Sequence, residues 1–439
     1  MNIMPVHMEP TRSGWYAALG LQPAAQPLST DITCDYLVVG GGWMGLHAAR
    51  RLGELAPDAR ITLVDAGRIG DSAAGRCAGF AIDLAHNPRN KHFAEDRKGN
   101  EEEFHVNSEG IAYMQSAVDE LGVACDWDPS GKYHAAATPR GDQCLAEMSE
   151  ALTKIGKDHS WISKEEIQAI TGSRHYHAAI HTPGTVLLQP AKYLVGLMQA
   201  LPENVAIHEK TPVTDITYAP QHHICETPGG VIRARHVLLC NAAYLTKCGF
   251  FENTAIPVYT YGSMTRVLTD AELAQVGARG PFGVIPAESF GTTMRLTHDN
   301  RLFLRNVYSY ARGFKSHQSD VDYARKHHQV AFDRRYPDLS HIGYDNSWGG
   351  LLTMAHNGGM VFGELGERVF GAAFCNGTGV ARGTGFGKAL AELALGHTSR
   401  SIDILNNRPR PNRGLPDWIT EIGVRTTTKY RFLRAGKET

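Results

Sequence analysis

Residues 34–65 read Cys34-Asp-Tyr-Leu-Val-Val-Gly40-Gly-Gly-Trp-Met-Gly45-Leu-His-Ala-Ala-Arg-Arg-Leu-Gly-Glu-Leu55-Ala-Pro-Asp-Ala-Arg60-Ile-Thr-Leu-Val-Asp65. The apolar run from Cys34 to Val39 stops at glycine, the pattern of a buried strand. Leu46, Ala49, Leu52 and Leu55 then recur at helical spacing, so Gly45–Leu55 is expected to be a helix stopped by Pro57-Asp58. Arg60–Val64 is a second buried strand, closed by Asp65. Strand, helix and strand in so short a stretch make a β-α-β unit of parallel sheet, which sets the fold class as α/β.

Between the first strand and the helix, Gly40, Gly42 and Gly45 fit G-x-G-x-x-G. Alone such a match says little. Here it follows a strand, opens a helix, and has Asp65 twenty residues beyond Gly45. Gly40 allows the tight turn, Gly42 lets backbone approach a pyrophosphate, and Gly45 permits close helix–strand packing. The helix N-terminus favours the phosphate charge. Asp65 is expected to accept hydrogen bonds from a ribose hydroxyl. The fingerprint reads as a dinucleotide site and leaves NAD and FAD open.

Composition supports this reading. The chain has 439 residues, a formal net charge of −1 and 46 glycines, about 10% glycine against a usual ~7%. Nine of these lie in residues 40–79 and thirteen in 343–387, so the excess is concentrated in two zones. Glycine costs backbone entropy, and such clusters mark places where backbone must approach something closely. Balanced charge argues against a nucleic-acid partner. No run approaches the ~20 apolar residues of a membrane span. Pro5, Pro10, Arg12 and Pro23 interrupt the first thirty residues, so no secretory leader is expected and the location expected is cytoplasmic. The eight cysteines show no regular spacing and read as reduced thiols. The 21 histidines lack zinc-site partners, so no metal is expected.

The stretch after Asp65 favours FAD. Ala66, Gly67 and Arg68 lead into a second glycine-rich loop, Gly70-Asp-Ser72-Ala-Ala74-Gly75-Arg76-Cys77-Ala78-Gly79, which a short NAD unit does not need. Ser72-Ala-Ala-Gly75-Arg76 is similar to the "ASGR" loop of the FAD-dependent D-amino-acid-oxidase superfamily. Within it the chain resembles the branch of glycine and sarcosine oxidases, γ-glutamylputrescine oxidase and L-pipecolate oxidase. Trp15-Tyr16, Leu188-Gln-Pro190, Lys210-Thr-Pro-Val213, Val237-Leu-Leu-Cys-Asn241-Ala242-Ala243, the Thr293–Arg301 hairpin and Trp348-Gly-Gly350 extend the resemblance over nearly the whole chain. It implies that Gly40, Gly42, Trp43, Met44, Gly45, Asp65, Ala66, Arg68, Ser72, Ala74, Gly75, Arg76, Cys77, Ala78, Val213, Asn241, Ala242 and Gly350 bind FAD.

In the second glycine zone, Phe374-Cys-Asn376-Gly377-Thr378-Gly379 resembles the family's flavin loop "G-x-S-G-H-G". A glycine loop before a helix, expected from about Gly387 to Leu395, supplies N–H donors where a reduced flavin ring carries negative charge. The sarcosine oxidases carry a lysine just past this loop that promotes reaction with oxygen, and Ala381-Arg382 stand here instead. Oxygen and an electron carrier both remain open as acceptors. Residues 348–360 contain none of the cysteine that attaches flavin in those oxidases, so non-covalent FAD is expected.

The resemblance implies oxidation of an amine or amino acid, with a secondary amine such as L-pipecolate or a γ-glutamylated amine as substrate. Hydride would pass from the α-carbon to flavin N5, giving an imine. A flavin-dependent 2-hydroxy-acid dehydrogenase and a non-catalytic FAD-binding protein are the competing readings. Strand-like runs at 258–268, 292–297 and 301–307 suggest an inserted antiparallel-sheet substrate domain. Tyr259 and Tyr261 share one face of the first run, Arg305 offers a bidentate carboxylate clamp, and His356 lies near the flavin loop. The plainer alternatives are core packing for the tyrosines, an ion pair for Arg305 and an ordinary loop histidine. The division expected is an arm at 1–33, an FAD-binding domain from 34–110, 185–250 and 343–439, and a substrate domain from 111–184 and 251–342.

Overall fold

A computed structural model describes residue 3 and residues 6–85 and 95–439. The charged composition of 87–104, with Glu101-Glu102-Glu103 at its end, predicts a solvated helix start, and this stretch falls partly outside the described residues. Its described part opens a long helix, Arg97–Leu121.

Strand β1 (Ile32–Val39), helix α1 (Trp43–Leu55) and strand β2 (Ile61–Val64) form the expected unit, with β1 and β2 parallel. The helix begins two residues earlier than its apolar spacing suggests, because Gly42 is its N-cap. The first sheet runs Val361–Gly366, Val369–Ala373, Gly230–Leu239, β1, β2, Val205–His208, with a short antiparallel pair added on Gly230–Leu239. The interior neighbours of β1 are parallel, and both its faces are buried, Val38 against residues of α1 and Leu37 and Val39 against Ile216, Cys225 and Leu245.

A second sheet of eight strands contains β3 (Ala255–Thr265) and β4 (Tyr344–Ala355), paired antiparallel along their whole length. It continues through Leu302–Tyr310, Thr293–Leu296, Phe282–Pro286, Lys132–Ala136, Ala178–Thr182 and Ser160–Ile162. It is mostly antiparallel, with one parallel pairing between Phe282–Pro286 and Lys132–Ala136. Two segments grouped by sequence with the FAD-binding lobe belong here by packing. One is β4. The other is the helix Asp417–Ala435, which lies on Leu302–Tyr310. Conversely, Met114 and Ala117 of the 97–121 helix sit in the core of the first sheet.

The largest departure concerns the second glycine zone. Its helix, α2 (Gly379–Ala394), starts eight residues before the expected Gly387. Glycine lowers helix propensity by ~1 kcal/mol, so a segment with Gly379, Gly383, Gly385 and Gly387 does not read as helix. Packing overrides propensity. A Cβ on Gly387 would stand 2.1 Å from the Met44 carbonyl oxygen, and one on Gly383 3.1 Å from the Trp43 Cβ. On another face, a Cβ on Gly385 would meet the Val106 carbonyl oxygen at 2.6 Å. The glycines let α2 lie against α1 and the 97–121 helix at backbone distance, and this brings the two zones together.

Candidate active site

A cavity of about 550 Å³ lies between the C-terminal ends of β1 and β2 and the face of the second sheet. Its floor is the glycine turn. Gly40 has φ +105°, open to glycine, and a Cβ on Gly45 would stand 1.7 Å from the Gly40 carbonyl oxygen. Gly42 faces the space with the Ala74 Cβ as its nearest neighbour. No side chain caps α1 at Gly42, so its first N–H groups stay available to a ligand.

Asp65 closes β2 and lines the cavity. Its Oδ2 accepts from Gly41 N–H at 2.7 Å and its Oδ1 from Gly67 N–H at 2.8 Å. Burial raises its pKa, and those two N–H bonds oppose the rise. Each oxygen keeps a lone pair for a further donor. Asn241 also lines the cavity, and its buried Oδ1 has no partner among the described residues. Near the other end, Gly379 opens α2 behind Thr378, again without a side-chain cap. Two uncapped helix starts, a part-free carboxylate and an unpartnered amide oxygen form a cradle suited to a long anion with hydroxyl groups.

Of the residues singled out by sequence, Gly40, Gly42, Trp43, Met44, Asp65, Ala66, Arg68, Ser72, Ala74, Arg76, Cys77, Val213, Asn241, Ala242, Gly377, Gly379 and Tyr259 line this one cavity. Others do not, and their roles are structural. Gly45 and Gly75 are close-packing positions, the latter with a Cβ site 1.8 Å from the Gly70 carbonyl oxygen. Gly350 backs onto the Arg76 Cβ, and the Ala78 carbonyl accepts from buried Arg295 at 2.8 Å. Asn376 braces loops, donating to the Gly358 and Phe374 carbonyls and accepting from Ala355 N–H. The Thr378 hydroxyl donates to the Cys375 carbonyl.

Arg76 lines the cavity but spends its guanidinium on protein. It donates to the Asp71 and Gly349 carbonyls and, at 2.7 Å, to the Thr11 carbonyl, besides pairing with the Asp71 carboxylate. Arg68 likewise donates to the Pro23 carbonyl and pairs with Glu209. Burial pushes the Cys77 thiol up to about 11 and Cys375 up to about 12, so both are neutral thiols. Arg382, just past the second glycine loop, is buried and pairs with Glu103.

The substrate-side expectations divide. Tyr259 and Tyr261 do share a face, their rings stacked 6.2 Å apart. Only Tyr259 reaches the cavity, because the Tyr261 hydroxyl is engaged by Ser309 and Ser316. Arg305 lies outside the lining, donating to Thr260, Thr293 and, at 2.6 Å, Tyr308. His356 is exposed and abuts the Gly414 backbone instead of the cavity.

Sequence reasoning missed the arm. Residues 6–12 run along the cavity as part of its wall. Ile3 N–H donates to the Thr214 carbonyl at 2.8 Å, His7 N–H to the Tyr244 hydroxyl at 2.9 Å, and Thr11 is held by Arg76. Glu9 accepts from the Tyr259 hydroxyl. No local pattern announces these contacts, three of which join residues more than 200 positions apart.

The profile of the FAD dependent oxidoreductase family matches residues 35–393. The chain belongs to this family. As an FAD-dependent oxidoreductase, it takes FAD as the cofactor that the cradle suits. A Haemophilus influenzae protein named "Probable oxidoreductase OrdL" is 24% identical over 441 residues, covering 97% of this chain and 98% of that protein. The γ-glutamylputrescine oxidoreductase of Escherichia coli K12 is 26% identical over 412 residues, covering 90% and 92%. The crystal structure of glycine oxidase from Geobacillus kaustophilus superposes with a TM-score of 0.71 at 18% identity, over 88% of this chain and 100% of that one. The oxidoreductase fold is therefore shared with that structure. Among the described residues, no helix is long and apolar enough to cross a membrane.

Proposed function

We propose that this FAD-dependent oxidoreductase oxidises a small amine or amino acid, and that its substrate is a secondary amine such as L-pipecolate or a γ-glutamylated amine. One observation carries the reading. The cavity that begins at the dinucleotide cradle ends against the second sheet, at Tyr259 of β3 and Leu351, Leu352 and Thr353 of β4. The similarity to a γ-glutamylputrescine oxidoreductase over nine-tenths of the chain supports the amine class.

When bound, FAD would supply a two-electron acceptor for hydride from the substrate α-carbon; the amine nitrogen gives up a proton as well, so the product is an imine that water hydrolyses. The chain's own work is binding, orientation and exclusion of water. The N–H groups at the start of α1 and the turn at Gly42 would hold the pyrophosphate, and Asp65 would accept from a ribose hydroxyl. Val213, Ala242 and Asn241 would line the nucleotide, and Gly377 and Gly379 the ring. The attachment we infer is non-covalent, in keeping with the burial that holds the thiols of Cys77 and Cys375 neutral. Tyr259 and the β4 residues would form the substrate wall.

Oxygen and an electron carrier are both chemically open as the final acceptor. Arg382 is committed to Glu103 and the Cys375 carbonyl, so it brings no free cation to the ring end. The test is turnover of an amine panel with a dye acceptor and, separately, with oxygen, reading the carbonyl product and peroxide. Carbonyl product from amines supports the reading. Product only from 2-hydroxy acids overturns it.

A further inference from the structure

We propose that Glu9, presented by the N-terminal arm beside the Tyr259 hydroxyl, is the anionic site that receives the cationic head of an aliphatic amine at the second-sheet end of the cavity. The inference deepens the function proposed above and rests on it for the class of ligand.

Among the described residues, three carboxylates line the cavity, those of Asp65, Asp71 and Glu9. Both Asp65 oxygens accept backbone N–H groups. Asp71 takes the Ser13 N–H and pairs with Arg76 and Arg12. Glu9 differs. Its Oε1 accepts from the Tyr259 hydroxyl, whereas its buried Oε2 has no partner among the described residues. An unmet carboxylate oxygen is costly to bury, and one on a side chain that lines a binding cavity calls for a donor from the ligand.

The neighbourhood selects the kind of donor. The charge of Arg76 acts on Glu9, but its N–H groups point to Asp71, Gly349 and Thr11. Because Tyr259 donates its proton to Glu9, its oxygen keeps lone pairs for a second N–H. A carboxylate oxygen and a phenol oxygen side by side suit the two or three donors of an ammonium group, with charge assistance. A ligand carboxylate would meet like charge there and must point elsewhere. The site depends on the arm, which is fastened on both sides of Glu9 by His7 N–H on Tyr244 and by Arg76 on Thr11.

The test is calorimetric titration of the FAD-loaded protein at neutral pH with tert-butylamine. That cation has no hydrogen on its amine-bearing carbon, so it binds without being oxidised. Its neutral isostere, tert-butanol, is the control. We expect saturable binding of tert-butylamine, about tenfold or more tighter than tert-butanol. Glu9→Gln is expected to weaken tert-butylamine about tenfold and leave tert-butanol unchanged, while Glu9→Asp retains most of the discrimination. Equal affinity of the Gln variant and the unmodified protein for tert-butylamine overturns the proposal, as does failure of the unmodified protein to prefer the amine. The latter comparison needs no variant, so a Gln variant that fails to fold leaves the proposal falsifiable. Loss of this binding speaks against Glu9 alone, whereas lack of oxidation of any amine speaks against the proposed function.

Discussion

Gly387 of α2 meets Met44 of α1 so closely that a Cβ on Gly387 would stand 2.1 Å from the Met44 carbonyl oxygen. The contact joins the helix that opens at the second glycine loop to the helix that opens at the first. Both helix starts then face one cavity. Gly387→Ala forces the helices apart, and overpacking of this kind costs about 1–3 kcal/mol. The expected outcome is a lower melting temperature together with a lower flavin content on purification, read by thermal unfolding and by visible absorbance per mole of protein.

Asp65 works on both sides of the cradle. Its carboxylate fixes the Gly41 and Gly67 N–H groups and keeps lone pairs toward the cavity. Asp65→Asn removes the charge and puts an amide donor on one side, leaving one of those N–H groups facing N–H. FAD affinity is expected to fall by about tenfold or more, since a charge-assisted hydrogen bond is worth roughly 1.5–3 kcal/mol. Dialysis against buffer followed by flavin fluorescence of the dialysate measures this directly.

Arg305 offers the opposite expectation. Its guanidinium is engaged by Thr260, Thr293 and Tyr308, and it lies outside the cavity lining. Arg305→Ala is expected to change the KM for carboxylate-bearing amines less than about threefold while lowering thermal stability. A large rise in KM at unchanged stability would return Arg305 to the substrate site.

Acid sensitivity follows from buried histidines. His47 donates from Nδ1 to the Trp43 carbonyl at 2.6 Å and accepts at Nε2 from Tyr193, and His328 lies between Ser263 and the Asn306 N–H. Burial pulls both down to about 3 from an ordinary 6.5. A folded-state pKa below the unfolded one means the unfolded chain binds the proton first. Their stabilisation is therefore complete above pH 6.5 and is lost as pH falls from 6.5 toward 3. The slope is at most about 1.4 kcal/mol per pH unit for each histidine. Denaturant midpoints at pH 7, 6, 5 and 4 should decline steadily, and a midpoint flat over this range would contradict the assignment.

The legible parts of this chain are the local ones. The β-α-β unit at 32–65 is readable because strand, turn, helix and acid all fall within some thirty residues, each with its own pattern. The start of α2 is hidden by Gly379, Gly383 and Gly385, which lower helix propensity for the sake of packing that only the tertiary structure reveals. Strand alternation puts Tyr259 and Tyr261 on one face, and Tyr259 lines the cavity. Alternation cannot tell that the Tyr261 hydroxyl turns to Ser309 and Ser316. Glu9 carries no signal at all, because its contact with Tyr259 spans 250 positions of sequence. His356 illustrates the reverse error: nearness in sequence to the flavin loop does not bring it to the cavity, since the chain turns outward after Ala355.

The central claim is that this FAD-dependent oxidoreductase withdraws hydride from amines. Its most direct test is the visible absorbance of the holoenzyme under anaerobic conditions, with sarcosine, proline, pipecolate, γ-glutamylputrescine and 2-hydroxyglutarate added in turn. The account predicts bleaching of the flavin band by at least one of the amines and an unchanged spectrum with 2-hydroxyglutarate. Bleaching by 2-hydroxyglutarate alone, or by none of the five, would contradict it.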